Sequence, residues 1–141
     1  MDNEHEKSTT FFRFEDLRIY HKSLDYLHSL YGMASEIQDD PIRKSYFDRF
    51  LAAAHAIALN IAEGSSRNKS QFVYYLKMAK SSVRECVVLS TIGQGQAFLS
   101  DDEYDTSKNQ LMEMTKMIGA LIGSLQRSAR ESEGDMDPDL D

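Results

Sequence analysis

The sequence predicts an all-α protein that folds as an antiparallel up-down-up-down four-helix bundle. In four separate stretches, apolar residues recur at alternating spacings of three and four, so each stretch would bury one stripe of a helix. No stretch shows the strict alternation that is typical of a strand. The connections between the four stretches are short, which favours antiparallel neighbours.

The stripe of the first helix begins at Leu17 and ends at Tyr31. We expect this helix to end before Asp39. Asp40 can cap the second helix, and Pro41 can occupy its first turn without losing a hydrogen bond. Together these residues predict where the second helix begins.

The second helix carries a stripe from Phe47 to Ile61, with small residues on most of its other sides. Gly64 follows the last apolar position, and we expect it to leave the helix in a left-handed conformation. The third helix is predicted from about Ser70 to Phe98. Glycines near its end, including Gly93, make that boundary the least defined.

The fourth helix begins with a predicted capping box, in which Ser100 and Glu103 each satisfy a free backbone donor of the other. We assign residues 13–128 to the bundle and expect residues 1–12 and 129–141 to be disordered tails. Although the chain of 141 residues has a net charge of -7, most of the excess acid lies in residues 131–141, so the bundle is close to neutral.

Few residues of the sequence are arranged for chemistry. A single cysteine, Cys86, cannot form an internal disulfide, and no leader or apolar anchor opens the chain, so we expect the protein in the cytoplasm and not at a membrane. Cys86 falls on the apolar stripe of the third helix, which predicts an inert thiol. His21, His28 and His55 do not form a metal-binding motif. We therefore predict no catalytic residues, no metal and no cofactor.

A polar cluster is predicted where the second helix ends. Glu63 would oppose the helix dipole there, so Arg67 or Arg84 should compensate it. Asn60, Glu63 and Glu85 then have two interpretations. The favoured one is a buried network that fixes the helix register, and the other is a contact with another subunit or a ligand.

Basic residues concentrate at the start of the third helix and along it. They could hold the phosphates of RNA or DNA, with Tyr74 and Tyr75 available to stack on bases. The favoured alternative is a solvated face, or pairing with the acids of residues 101–105 in another subunit. The candidate nucleic-acid-binding residues are Arg67, Lys69, Lys77, Lys80 and Arg84.

Three segments together resemble the 23S rRNA intervening-sequence protein family. They are residues 14–23 (FEDLRIYHKS), residues 60–64 (NIAEG) with Arg67 following, and residues 79–85 (AKSSVRE). The resemblance extends from Phe14 to about Leu125, and its specificity comes from the order and spacing of the three segments. Members of this family are similar to the accessory variability protein of diversity-generating retroelements.

This resemblance implies a four-helix bundle that assembles into a ring, with pentamers as the expected form, and no enzymatic activity. By analogy, it also implies nucleic acid and a reverse transcriptase as partners. The sequence departs from the family pattern at Leu51 and Ala52, where members commonly have two arginines, and this weakens the RNA role. Tyr20 replaces the usual Trp, and Ala58 replaces a frequent Pro.

Two functional hypotheses follow from the sequence. The first is a non-enzymatic homo-oligomer that binds RNA or DNA through a basic surface on the third helix. The second is a structural or protein-binding module without nucleic-acid contact. Apolar residues outside the main stripes support an oligomer, since a monomer would expose some of them: Ile19, Leu30, Tyr74, Met78, Met117 and Ile122.

Overall fold

The computed structural model describes residues 11–36 and 39–134, with the backbone alone for residues 133 and 134. These residues form a short 3-10 turn and four α-helices, and they contain no strand. The predicted all-α class is therefore confirmed. The elements are the 3-10 turn Arg13–Asp16, α1 (Arg18–Ala34), α2 (Pro41–Ser65), α3 (Lys69–Gly95) and α4 (Asp101–Gly134).

The four helices pack in a ring, in which α1 contacts α2, α2 contacts α3, α3 contacts α4, and α4 contacts α1. Neighbouring helices run antiparallel. Between α3 and α4, for example, a hydrogen bond of 2.7 Å joins Ser90 Oγ and Ser107 Oγ, and Lys69 at the other end of α3 donates to Ser128. The predicted four-helix bundle is confirmed. In the described ranges, no helix is both long and apolar enough to cross a membrane.

The predicted helix starts follow from side-chain caps. Asp40 caps α2 by accepting a hydrogen bond of 3.2 Å from the backbone N–H of Arg43. Ser100 and Glu103 form the predicted capping box, with hydrogen bonds of 2.9 and 3.0 Å. Asn68 caps α3 by accepting from the backbone N–H of Gln71 at 2.9 Å, so α3 begins one residue before the predicted start.

Gly64 does not have the predicted left-handed conformation. No described glycine has a positive φ, and α2 continues through Gly64 to Ser65. Gly64 is buried, and a Cβ built on it would lie 2.6 Å from Cβ of Tyr75. The absence of a side chain therefore lets α3 approach α2 closely, and this steric role has no local sequence signal.

The end of α3 also differs from the prediction, because the helix stops at Gly95 and not near Phe98. Ala97 has a φ of 61°, which is left-handed, and the backbone N–H of Phe98 donates to the carbonyl of Gly93 at 2.8 Å. Gly93 itself is helical and buried. A Cβ at Gly93 would lie 2.1 Å from the hydroxyl of Tyr46, so this glycine makes room for a tyrosine of α2.

Helix α4 continues to Gly134, so residues 129–134, predicted to be disordered, are helical. Extending an existing helix adds one hydrogen bond per ordered residue, and Ala129, Arg130 and Glu131 favour helix formation. Residues 11 and 12, assigned to the first tail, lie in the described part and are exposed. The remaining tail residues, 1–10 and 135–141, lie outside it.

The prediction that some off-stripe apolar residues would be exposed is confirmed, although four of the six lie in the core or against it. Ile19, Leu30 and Ile122 belong to the core, and Met117 packs against it. These residues are buried because each helix contacts two neighbours, and a single stripe of residues cannot fill both contacts. Tyr74 and Met78 are exposed as expected, with 59% and 38% of their surface accessible.

Candidate nucleic-acid interface

Helix α3 carries the basic residues that the sequence singled out. Lys77, Lys80 and Arg84 are spaced by three and four residues, so their side chains follow one side of the helix. Lys77 and Arg84 are exposed, and Lys80 is half-buried. None of the three forms an ion pair with an acid of residues 11–36 or 39–132, although Arg84 donates a hydrogen bond of 3.2 Å to Ser81 Oγ. Their charges are therefore available to a ligand.

Arg67 is engaged within the protein. Its guanidinium forms an ion pair with Glu63, including an Nε to Oε2 hydrogen bond of 3.1 Å, and lies 5.3 Å from the centre of the Tyr75 ring. The hydrogen bond to Glu63 raises the pKa of Arg67 above its ordinary value. The sequence predicts that Arg67 or Arg84 compensates Glu63, and in the structure Arg67 does so. Arg67 therefore secures the turn between α2 and α3, which makes it a weaker candidate for phosphate binding.

Lys69 lies at the first position of α3 and donates a hydrogen bond to Ser128 of α4. Because a hydroxyl does not neutralise the ammonium, Lys69 retains its positive charge. Its position joins the basic side of α3 to the last turns of α4. Of the five predicted residues, four therefore have no acidic partner among the side chains that the structure describes.

The two tyrosines predicted to stack on bases have different environments. Tyr74 is exposed, and its ring meets Tyr75 edge to face at 5.4 Å between centroids. Tyr75 is half-buried between Gly64 and Arg67. Only Tyr74 therefore has a ring face that is accessible to a ligand.

The polar cluster of Asn60, Glu63 and Glu85 is not a buried network. Glu63 and Glu85 are exposed, and the half-buried Asn60 donates to the carbonyl of Ala56 in its own helix at 2.9 Å. No hydrogen bond joins any two of the three residues in the described part of the chain. The buried interpretation is wrong because the last turn of α2 presents these side chains outward, and the interpretation as an interface stays a prediction.

Cys86 is fully buried, as its place on the apolar stripe predicts. Burial, together with the nearby charge of Glu85, raises the pKa of its thiol from 9.0 to about 12. The thiol is therefore protonated at neutral pH and is a poor nucleophile.

Sequence reasoning missed the bases of α4. Residues 106–130 contain four bases and one acid, Glu113, and this acid pairs with Lys22 of α1 at 3.2 Å. A count of charges over residues 106–130 alone could have revealed them. A count over the whole of α4 does not, because the acids of residues 101–105 offset the bases. The four bases are Lys108, Lys116, Arg127 and Arg130.

Two exposed apolar regions accompany these charges. Leu59 of α2 lines a surface cleft together with Phe11 and Phe12, and all three are more than half exposed. On α3, four exposed apolar residues follow an outward line with spacings of four, ten and four. They are Tyr74, Met78, Val88 and Ile92.

The family model described as "23S rRNA-intervening sequence protein" matches residues 15–120, which is most of the bundle. The chain belongs to this family. The match begins in the 3-10 turn and ends within α4, so it includes α1, α2 and α3 of this family member completely. A comparison with curated proteins found no match.

Proposed function

We propose that this member of the 23S rRNA intervening-sequence protein family is a non-enzymatic homo-oligomer that binds RNA or DNA through the basic side of α3. The observation that supports the proposal best is the row of Lys77, Lys80 and Arg84, which has no acidic partner in the described ranges. Unpaired cations at helical spacing release counterions when they meet phosphates, which supplies most of the affinity of non-specific binding. The family's name, which refers to 23S rRNA, agrees with this ligand class.

Self-assembly is the second part of the proposal. Phe11, Phe12 and Leu59 expose apolar surface that a second copy of the chain would cover. The family resemblance favours a pentamer, located in the cytoplasm. Light scattering should therefore give a mass near five times 16.1 kDa, and a monomer at micromolar concentration would contradict the assembly.

Salt-dependent binding tests the nucleic-acid part. The variant Lys77→Glu/Lys80→Glu/Arg84→Glu should bind a short structured RNA at least tenfold more weakly at about 50 mM salt, and its log-log salt slope should fall by about 2 to 3. The matched control is Arg18→Glu/Lys44→Glu/Arg49→Glu, which changes the net charge equally on α1 and α2. Equal losses in both variants would show that net charge matters and not the α3 surface.

The alternative is a structural or protein-binding module without nucleic-acid contact. The exposed apolar line of α3 favours it, because Val88 and Ile92 lie beyond the last base of the row and suit a protein surface better than a phosphate. By analogy with the retroelement relative, such a partner would be a reverse transcriptase. If the wild-type protein binds neither RNA nor DNA at low salt, the proposed nucleic-acid function is wrong and this alternative is favoured.

A further inference from the structure

The bases of α4 lie beside those of α3, and hydrogen bonds between the two helices fix their register. Ser90 meets Ser107, and Lys69 donates to Ser128 farther along. Lys80 precedes Ser90 by ten residues, and Lys116 follows Ser107 by nine. Since the helices run antiparallel and each residue rises about 1.5 Å, Lys80 and Lys116 lie at nearly the same height.

The α4 bases also share one side of their helix. Lys116 and Arg127 are eleven residues apart, close to three full turns, and Arg130 lies one further turn along. All three are exposed. Arg130 lines a cleft between the two helices together with Lys69 of α3, which places this end of the α4 row directly beside the α3 row.

Acidic side chains are few along the two rows of bases. Residues 69–84 contain none, and Glu113 of α4 is paired with Lys22 of α1. Exposed acids follow at the ends of the rows, Glu85 after Arg84 and Glu131 after Arg130. The surface beside Gly119 of α4 is also open, since no atom lies within 4 Å of where its Cβ would be. We name the surface formed by the following six residues the two-helix basic face: Lys77, Lys80, Arg84, Lys116, Arg127 and Arg130.

We infer that the two-helix basic face binds the two phosphate strands of a nucleic-acid duplex. This inference rests on the proposed function and adds both the α4 residues and the form of the ligand. Axes of packed helices are separated by about 8–10 Å, and the grooves of B-form DNA are about 6 to 12 Å wide, so two rows of cations match two strands that border a groove.

The residue types on this face also favour a duplex over a single strand. Residues 77–84 of α3 and 116–130 of α4 contain no aromatic residue. Proteins that bind single strands combine a basic groove with aromatic rings on which the bases stack. The exposed ring of Tyr74, three residues before Lys77, is a single ring and does not form a series on which successive bases could stack. The face therefore contacts mainly phosphates and recognises the shape and charge of the backbone.

The test measures binding of the full-length protein to an RNA duplex, a DNA duplex and a single strand of the same sequence, between about 50 and about 200 mM salt. In Lys116→Glu/Arg127→Glu/Arg130→Glu, duplex affinity should fall at least about tenfold and the salt slope by about 2 to 3. The control Arg18→Glu/Lys44→Glu/Arg49→Glu should stay within about threefold of wild type. Circular dichroism checks folding, and the corresponding Gln variant replaces any reversal variant that unfolds.

The outcomes separate the two proposals. If the α3 variant loses binding and the α4 variant keeps it, the two-helix face is wrong and the α3 surface stands. If the single strand binds as tightly as either duplex, the duplex assignment is overturned. If the wild type binds no nucleic acid at low salt, both this inference and the proposed function are wrong.

Discussion

At the contact between α2 and α3, two glycines meet tyrosine side chains, whereas Gly119 of α4 faces open space. Gly64 and Gly93 are buried, and a methyl group on either would overlap Tyr75 or Tyr46. Gly119 has no atom near its missing side chain. Glycine in a helix normally destabilises it. Gly64 and Gly93 allow close contact between helices in return, whereas Gly119 gains no packing.

The charges divide in the same way. The inward-facing side of α3 contains the buried thiol of Cys86, and the outward-facing side carries Lys77, Lys80 and Arg84 without acidic partners in the described chain. One side of α3 therefore holds the fold together, and the other is free to bind a ligand. Substitutions on the inward-facing side should change the free energy of unfolding, and those on the outward-facing side should change it little.

The largest effect is expected for Gly93→Ala. The new methyl would lie 2.1 Å from the Tyr46 hydroxyl, whose ring packs against Phe47, Phe50 and Phe98 and cannot move freely. Overpacking of this kind should lower the free energy of unfolding by about 2–3 kcal/mol in urea denaturation at a fixed protein concentration.

Adding Tyr46→Phe to Gly93→Ala should recover part of this loss, since it removes the oxygen nearest the methyl. By itself, Tyr46→Phe should destabilise by about 1 kcal/mol, because the hydroxyl donates to the carbonyl of Leu89. Strictly additive losses in the double variant would contradict the steric explanation.

Cys86 should make stability depend on pH. Burial raises the pKa of its folded-state thiol to about 12, whereas the unfolded thiol ionises near its ordinary value of 9.0. The stability that the protonated thiol contributes is complete below about pH 8 and is lost as the pH rises from 9 toward 12. At about pH 10 the loss amounts to about 1.4 kcal/mol. On going from about pH 8 to about pH 10, the free energy of unfolding of Cys86→Ala should therefore fall by about 1.4 kcal/mol less than that of the wild type. Parallel pH profiles would refute the assignment.

A smaller loss is expected for Tyr26→Phe. The buried Tyr26 hydroxyl bonds Ser107 Oγ at 2.7 Å, and Ser107 also bonds Ser90, so each serine keeps a partner in the variant. The free energy of unfolding should fall by about 1 kcal/mol. Tyr31→Phe is the matched control, because the exposed Tyr31 hydroxyl bonds His55 at 2.8 Å and should matter less. A larger loss of unfolding free energy in Tyr31→Phe than in Tyr26→Phe would contradict the idea that burial makes the Tyr26 hydrogen bond more important.

The smallest effect has the opposite sign. Gly119→Ala should stabilise the protein by about 0.5–1 kcal/mol, because alanine favours the helix and its methyl meets no atom. Gly32→Ala in α1, where the space is equally open, should behave in the same way. Thermal or urea unfolding measures both. Destabilisation at Gly119 would mean that a neighbour, such as a second copy of the chain, occupies that space.

Local sequence patterns were sufficient for the helices and their starts. The Asp40 cap and the Ser100–Glu103 capping box depend on residues three apart, and a stripe such as Phe47 to Ile61 depends on spacing within one helix. The salt bridge of Glu63 and Arg67 spans four residues and was predictable for the same reason. The residue at which the acidic tail begins was not predictable, because extension of α4 past residue 128 depends on small differences in helix propensity.

The sequence by itself therefore determined the fold class, the helices and the identity of the α3 bases, because each follows from residues within a few turns of one another. Only the tertiary structure decided that Gly64 and Gly93 serve close packing, that Glu63 and Glu85 lie outside the core, and that Lys116 lies level with Lys80. These facts depend on which helices meet and in what register, and that is set by contacts between residues distant in the chain.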